Sequence, residues 1–399
     1  MVMMITGESS GELYGALLAG ALRERVPGLR IMGVGGERMQ SAGVELVSGI
    51  SGGFGVTELL SALRDLKATF KRTTEAIKKF MPDVLVVIDY PDFNIKVVEV
   101  AKTLGIKILY YVSPQVWAWR KGRIKKIASL VNRMATILPF EEEIYRKAGL
   151  PCEFVGHPIV DEIATVLQSA ESLSTQPSAI SEKSRALDPE LRTYFKGSLG
   201  LDRDRPLLSL LPGSRPHELK RLFPLMIGIV KQCKKEFSNY QFCIPLAPNT
   251  DERKYSLYLD SLRQEGVFIK RGESVRVLAA SDMAVVASGT ATLQAAFLEV
   301  PMVVVYKLSA ITYLLGKLII KVQYISLVNL LSGILVVPEL LQKRANPEEV
   351  TKELKKIIDD TPYRERMLRY YRMIKIPFKG KSASKRVAEI IVEMAGWER

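Results

Sequence analysis

Cysteine and histidine are scarce in this chain of 399 residues, with three of the first and two of the second. Cys152, Cys233 and Cys243 are odd in number and lack metal-ligand spacing, which argues against a disulfide framework or a metal site and for a reducing compartment. His157 and His217 sit beside glycine or proline turns, and sequence alone assigns neither as a base. A targeting signal is also lacking: Met1-Val2-Met3-Met4-Ile5 reads as a short apolar strand without a basic region or cleavage site, so a cytoplasmic protein is expected. The most membrane-like stretch, Val322 to Pro338, is interrupted by Gln323, Asn329 and Ser332 and falls short of the roughly 20 residues a span needs. It is expected to be a core segment. No complete P-loop and no dinucleotide glycine triplet with its ribose-binding acid occurs, which sets kinase and dehydrogenase readings aside. Internal repeats and long low-complexity tracts are absent too.

What is present is a well-packed globular composition, 47% hydrophobic and 25% charged, with 57 Lys plus Arg against 43 Asp plus Glu. The resulting +14 attracts phosphates, nucleic acid or an anionic membrane without choosing among them. The length suits two domains. Short apolar runs alternate with helical-period segments: Val2–Ile5, Arg30–Val34, Val84–Ile88, Ile106–Val112, Met134–Leu138, then Leu207–Leu211, Phe242–Pro245, Met283–Ala287 and Met302–Tyr306. Alternation of this kind predicts α/β architecture, two doubly wound parallel-sheet domains facing each other across a cleft. The expected boundaries are 1–167 for the first domain, 168–205 for a Ser-rich linker and 206–380 for the second domain. A helix over 381–399, apolar at Val387, Ile390, Ile391 and Met394, is expected to cross back to the first.

Strand ends carry the chemistry. Val84–Ile88 runs into Asp89-Tyr90-Pro91-Asp92-Phe93-Asn94, and the next strand ends in Ser113-Pro114-Gln115-Val116-Trp117-Ala118-Trp119-Arg120. Neighbouring parallel strands discharge on one side of a sheet, so Asp89, Asp92, Asn94, Trp117 and Arg120 are predicted to converge. The first strand ends in Gly7-Glu8-Ser9-Ser10-Gly11-Glu12, where Glu8, Ser10 and Gly11 border a helix start that can approach a ligand; Gly33 to Gly36 is a weaker version. In the second half, Gly213-Ser214-Arg215 and Ser288-Gly289-Thr290 again join strands to helices. Both are expected to leave amide donors free, and together they suit a nucleotide diphosphate with Arg215 forked onto it.

On the segments Gly7 to Glu12, Ile88 to Asn94, Tyr111 to Arg120, Leu138 to Glu141, Val155 to Pro158, Leu211 to Glu218, Ser288 to Leu293, Pro301 to Lys307 and Asn329 to Gln342, the chain resembles the lipid-A-disaccharide synthase family. These segments span nearly the whole length in order. Trp-Ala-Trp-Arg and Pro-Asp-Phe-Asn are specific; the glycine turns are not. The resemblance implies an inverting, metal-independent GT-B glycosyltransferase without a cofactor. Such an enzyme joins UDP-2,3-diacylglucosamine to 2,3-diacylglucosamine 1-phosphate, giving a β-1,6 disaccharide and UDP. It implies Asp92 as general base, with Asp89 the second candidate. Arg215 would bind the diphosphate, with Gly213, Ser214, Ser288, Gly289, Thr290, Gln294 and Asn329 around the UDP-sugar. Three positions depart from the family: Glu12 for Asp, Gln294 for Glu, so that a ribose diol would meet an uncharged amide, and Glu299 for a small residue.

Acylated substrates imply work at the cytoplasmic face of the inner membrane of a Gram-negative cell, bound peripherally. Leu59, Leu60, Leu63, Leu66 and Phe70 at helical spacing, with Lys67 and Lys71 nearby, are expected to dock to anionic lipid; a helix facing its own core has the same stripe. The basic run Arg120 to Lys126 can hold the acceptor's phosphate or be a solvated helix face. A homodimer is compatible with the reading. The alternatives are another UDP-sugar glycosyltransferase, a nucleotide-sugar epimerase, or a basic nucleic-acid-binding protein. The last leaves the two diphosphate-type loops and the carboxylate pair unexplained, so no nucleic-acid partner is expected.

Overall fold

The computed structural model describes residues 1–49, 59–115, 122–171, 188–308 and 323–397, without the side chains of 59–63 and 171. The chain divides into two compact units, Met1–Asp161 with Pro377–Arg399, and Glu162–Ile376.

The first unit is built on seven strands: β1 (Val2–Ile5), β2 (Ile31–Gly35), β3 (Glu45–Gly49), β4 (Val84–Ile88), β5 (Lys107–Tyr111), β6 (Arg133–Thr136) and β7 (Cys152–Phe154). They lie side by side in the order β3-β2-β1-β4-β5-β6-β7, and every pair is parallel. β1 and β4 are buried at every position because helices cover both faces of the sheet, which is why they read as unbroken apolar runs. The order reverses direction between β1 and β4, registered Ile5 opposite Val87. At such a switch point the two following loops part and leave a crevice.

The second unit repeats the plan with β8 (Leu207–Leu211), β9 (Gln241–Leu246), β10 (Val267–Arg271), β11 (Met283–Ala287), β12 (Met302–Tyr306) and β13 (Glu339–Leu341), in the order β10-β9-β8-β11-β12-β13. Its switch point lies between β8 and β11, registered Leu211 opposite Val286.

Three expectations change. The stretch 168–205 is not a plain linker: the helix Pro158–Glu171 runs into it, and the helix Pro189–Ser198 buries Leu191 and Phe195 in the second unit. On the helix Leu59–Phe80, Leu66 and Phe70 are half-buried against the first unit's own core, so part of the stripe serves packing. Lys67 and Lys71 are exposed, and the side chains of Leu59, Leu60 and Leu63 lie outside the described residues. Within Val322–Pro338, the described part holds a short helix, Leu327–Ser332, with Val328 buried, but Leu335 is 59% exposed. Among the described residues no helix is long and apolar enough to cross a membrane.

The C-terminal helix Ala383–Ala395 belongs to the first unit and buries Val387, Ile390 and Ile391. Ion pairs fix it there: Arg386 to Glu153 at 2.6 Å and Arg133 to Glu393 at 2.5 Å. Asp161 accepts the backbone N–H of Ser384 at 2.8 Å.

Candidate active site

The loops that flank the first unit's switch point are Gly7–Glu8 after β1 and Asp89–Tyr90 after β4. Asp89 (φ 48°) and Tyr90 (φ 46°) are consecutive non-glycine residues in the left-handed region, a conformation that costs roughly 1–2 kcal/mol per residue. Local contacts hold it. The Asp89 carbonyl accepts from the Tyr110 hydroxyl at 2.8 Å and from Asn94 Nδ2 at 2.7 Å, and Asn94 Nδ2 also reaches the Ile88 carbonyl at 3.3 Å. The Tyr90 ring stacks on Phe93 at 5.5 Å and lies over Gly7, where a Cβ would stand 2.3 Å from the ring. Only glycine lets the two loops meet.

This turn launches the helix Pro91–Thr103. Proline suits its first position because the missing donor is not needed there. Asp92 follows in the first turn, where the helix dipole favours a carboxylate. Its side chain is 69% exposed and meets the Arg123 guanidinium at 2.6 Å. Asp89 is half-buried and Asn94 wholly buried, with Asn94 Oδ1 lacking a hydrogen-bond partner. Burial raises the pKa of Tyr90, with further contributions from Glu8 and Asp92. The structure therefore brings Glu8, Asp89, Tyr90 and Asp92 into one neighbourhood, with Asn94 beneath as a support for the backbone. Ser10 and Gly11 lie in the first turn of the helix Ser9–Arg25. Trp117 and Arg120 lie outside the described residues.

Glu12, one of the departures, is structural: its Oε1 accepts the backbone N–H of Arg38 at 2.8 Å at the start of the helix Glu37–Ser41. His157 is buried beside Tyr14, and burial pushes its pKa down to about 3. Nδ1 accepts the Ile159 N–H at 3.2 Å, so the neutral ring carries its proton on Nε2, which has no hydrogen-bond partner. A neutral, enclosed imidazole of this kind is not an exchangeable base.

In the second unit, Gly213–Arg215 after β8 and Ser288–Thr290 after β11 flank the switch point. The expectation of free amides fails at the first loop. Glu218, at the third position of the helix Pro216–Glu236, accepts the Ser214 and Arg215 N–H groups, each at 3.2 Å. Gly213 (φ 91°) passes so close that a Cβ there would lie 2.3 Å from the Glu218 carboxylate. A cap satisfied from within leaves the Arg215 guanidinium, 52% exposed and 3.8 Å from Glu218, as the group this loop presents. Tyr306 at the end of β12 senses both residues: burial raises its pKa, Glu218 adds to the rise and Arg215 opposes it. Lys307 follows, its pKa lowered by burial.

Ser288 donates its hydroxyl to the Ile325 carbonyl at 2.8 Å, and Thr290 opens the helix Thr290–Phe297 after Gly289. Gln294 is buried, and its Nε2 donates to Glu162 Oε2 at 2.7 Å, so a carboxylate does stand beside the uncharged amide. Glu299 (φ 54°) is buried and binds Arg372 at 2.9 Å and Lys375 at 2.5 Å. That ion-paired cluster explains how an acid is tolerated there.

Asn329 requires correction. It is fully buried, its Nδ2 donates to the Val337 carbonyl at 2.9 Å and to Glu339 at 2.8 Å, and its Oδ1 accepts from Val336 and Val337 at 2.8 and 2.9 Å. With all four of those positions filled, it builds the loop before β13 and has none left for a nucleotide. Arg123, Glu218 and Tyr306 are the site neighbours that sequence reasoning did not single out. Arg123 had a signal only as a member of the basic run Arg120 to Lys126, and Glu218 in its capping-box spacing from Arg215.

Two doubly wound parallel sheets, of seven and six strands, define a two-unit α/β protein of GT-B-like fold. The UDP-GlcNAc 2-epimerase of Neisseria meningitidis, solved with UDP-GlcNAc, superimposes with a TM-score of 0.68 at 11% identity, over 98% of this chain and 99% of that one. Residues 2–188 and 180–391 match the lipid-A-disaccharide synthetase family. The lipid-A-disaccharide synthase of Syntrophus aciditrophicus is 41% identical over 90% of this chain and 88% of its own, and that of Myxococcus xanthus 38% over 98% and 97%. The chain belongs to the lipid-A-disaccharide synthetase family.

Proposed function

We propose that this protein is a lipid-A-disaccharide synthase that uses UDP-2,3-diacylglucosamine as donor and 2,3-diacylglucosamine 1-phosphate as acceptor. The observation that carries the reading is Asp92, an exposed carboxylate at a helix start that a strained turn holds beyond β4. Asp92 takes the proton of the acceptor's 6-hydroxyl as that oxygen bonds to the donor's anomeric carbon. The bond from that carbon to the diphosphate breaks, and its electron pair leaves on UDP. Attack opposite the leaving group inverts the anomeric centre.

Arg215 and the helix start at Thr290 receive the charge that develops on the diphosphate, so the step needs no metal. Asn94 and Tyr110 act through the backbone and keep the turn in place. Lys67, Lys71, Arg72, Lys78 and Lys79, all exposed, draw the first unit to an anionic inner-membrane surface, each contributing about 1 kcal/mol near such a surface.

The test is to incubate purified protein with both acyl sugars and a chelator, then analyse the lipid by mass spectrometry and anomeric NMR. A β-1,6 disaccharide 1-phosphate with one equivalent of UDP is expected. Epimerised donor without acceptor consumption would replace this reading with a nucleotide-sugar epimerase.

A further inference from the structure

The pair formed by Asp92 and Arg123 sits oddly with a base that must meet a substrate hydroxyl, because the guanidinium at 2.6 Å already occupies a carboxylate oxygen. Arg123 is nevertheless rigidly placed. It opens the helix Gly122–Leu130, which is tied along its length to the helix that carries Asp92: Lys126 pairs with Glu99 at 2.7 Å, Lys102 donates to the Ser129 carbonyl, and Ile127 is buried in the unit's core. Asp92 and Arg123 stand near the two helix starts and the other ties lie farther along both helices, so both N-termini lie at the same end. The Arg123 side chain is only 28% exposed, while its carboxylate partner is mostly in solvent. An ion pair with a partner so exposed is weak and open to exchange.

We infer that Arg123 is the receptor for the acceptor's phosphate monoester and that phosphate binding releases Asp92 to act as base. A phosphate monoester offers more charge and three acceptor oxygens to the guanidinium fork, and so competes well with one exposed carboxylate. No covalent step is added. The acceptor's phosphate replaces Asp92 on Arg123, and Asp92 turns to the acceptor's hydroxyl. Acceptors without the phosphate leave the base masked. The inference rests on the reading of Asp92 as base, and the experiment separates the two.

Wild type, Arg123→Ala and Arg123→Lys are assayed in neutral detergent micelles with the 1-phosphate acceptor and with its dephosphorylated form. Arg123→Ala should lower kcat/KM for the phosphorylated acceptor by about 10- to 100-fold. It should raise kcat/KM for the dephosphorylated acceptor, because the base is then unmasked. Loss of fold cannot produce opposite signs. Arg123→Lys, which keeps the charge without the fork, should recover part of the phosphate preference. An unchanged preference for the phosphorylated acceptor in Arg123→Ala overturns the inference. So does a loss confined to the donor's KM, which assigns the residue to the diphosphate, or one seen only with added phosphatidylglycerol vesicles, which assigns it to a lipid headgroup. Asp92→Asn, run alongside, should lose about 10²- to 10⁴-fold in turnover with both acceptors; turnover near that of the wild type would remove the base and this inference with it. An impaired Asp92→Asn beside an unaltered Arg123→Ala preference removes the inference alone.

Discussion

The carboxyl edges of the two sheets share a topology and differ in how they treat polar groups. In the first unit the edge is tense and incompletely satisfied: Asp89 and Tyr90 are held left-handed, and the buried Thr6 hydroxyl and Asn94 Oδ1 lack hydrogen-bond partners. In the second, the site loops close on themselves. Glu218 caps its own loop, Glu339 accepts from the backbone of Ile325 and Ser326 at 3.0 and 2.9 Å, and Asn329 is saturated. Among the described residues no side chain in those loops is buried without a partner. Strain and unmet hydrogen bonds gather where a group must react, and persist because surrounding contacts over-determine them. On the proposed reading the second unit's loops grip a diphosphate, and such a surface works best when preformed, since ordering it at the moment of binding would reduce affinity.

This contrast is open to attack from both sides. Asp92→Asn should lower turnover by about 10²- to 10⁴-fold while UDP affinity by calorimetry stays within about twofold; equal loss of both would place the residue in the framework. Arg215→Ala should weaken UDP binding by about 10- to 100-fold, the worth of charge-assisted hydrogen bonds, and an unaltered Kd would remove the guanidinium from the diphosphate. The two buried asparagines should behave in opposite ways. Asn329→Ala should cost about 1–3 kcal/mol of stability in urea melts and spare UDP affinity once folded, whereas Asn94→Ala should cut turnover out of proportion to its smaller stability loss.

The last effect is pH-dependent. Unfolded, the His157 imidazole takes its proton near 6.5; buried in the native first unit it resists protonation down to about 3. Between those values the unfolded chain binds the extra proton. The stabilising contribution is therefore complete above about pH 6.5 and is lost as pH falls through this window, by at most about 1.4 kcal/mol per pH unit. His157→Gln should flatten the pH dependence of the urea midpoint between about pH 4 and pH 6, and parallel slopes would show that other groups set it.

The placement of several candidate residues was legible because strand, turn and helix follow one another in sequence. Asp89, Asp92 and Arg215 stand where an apolar run breaks before a helix, and topology then sets those breaks beside the switch points. The partners were not legible. Arg123 lies 31 positions beyond Asp92 on another helix, and Gln294 meets Glu162 across 132 positions. Asn329 matched the family segment, but only the three-dimensional arrangement reveals that the loop before β13 consumes its amide. Leu66 and Phe70 carried a stripe that suits lipid or core equally well, and the structure half-buries both against the first unit's core.

The strands themselves divide along the same line. The nine apolar runs in the sequence correspond to the nine interior strands of the two sheets, and the four strands it did not announce, β3, β7, β10 and β13, are the four edges. An interior parallel strand is covered on both faces, so most of its residues are apolar and the chain itself declares the strand. Edge strands are only partly covered: β3 and β10 each expose both apolar and polar residues, and β7 and β13 are three residues long. Composition therefore determined the two parallel cores and the loops that leave them. Which loops meet, which carboxylate is paired and which amide is already occupied were decided by the tertiary structure, because those contacts join residues that no local pattern connects.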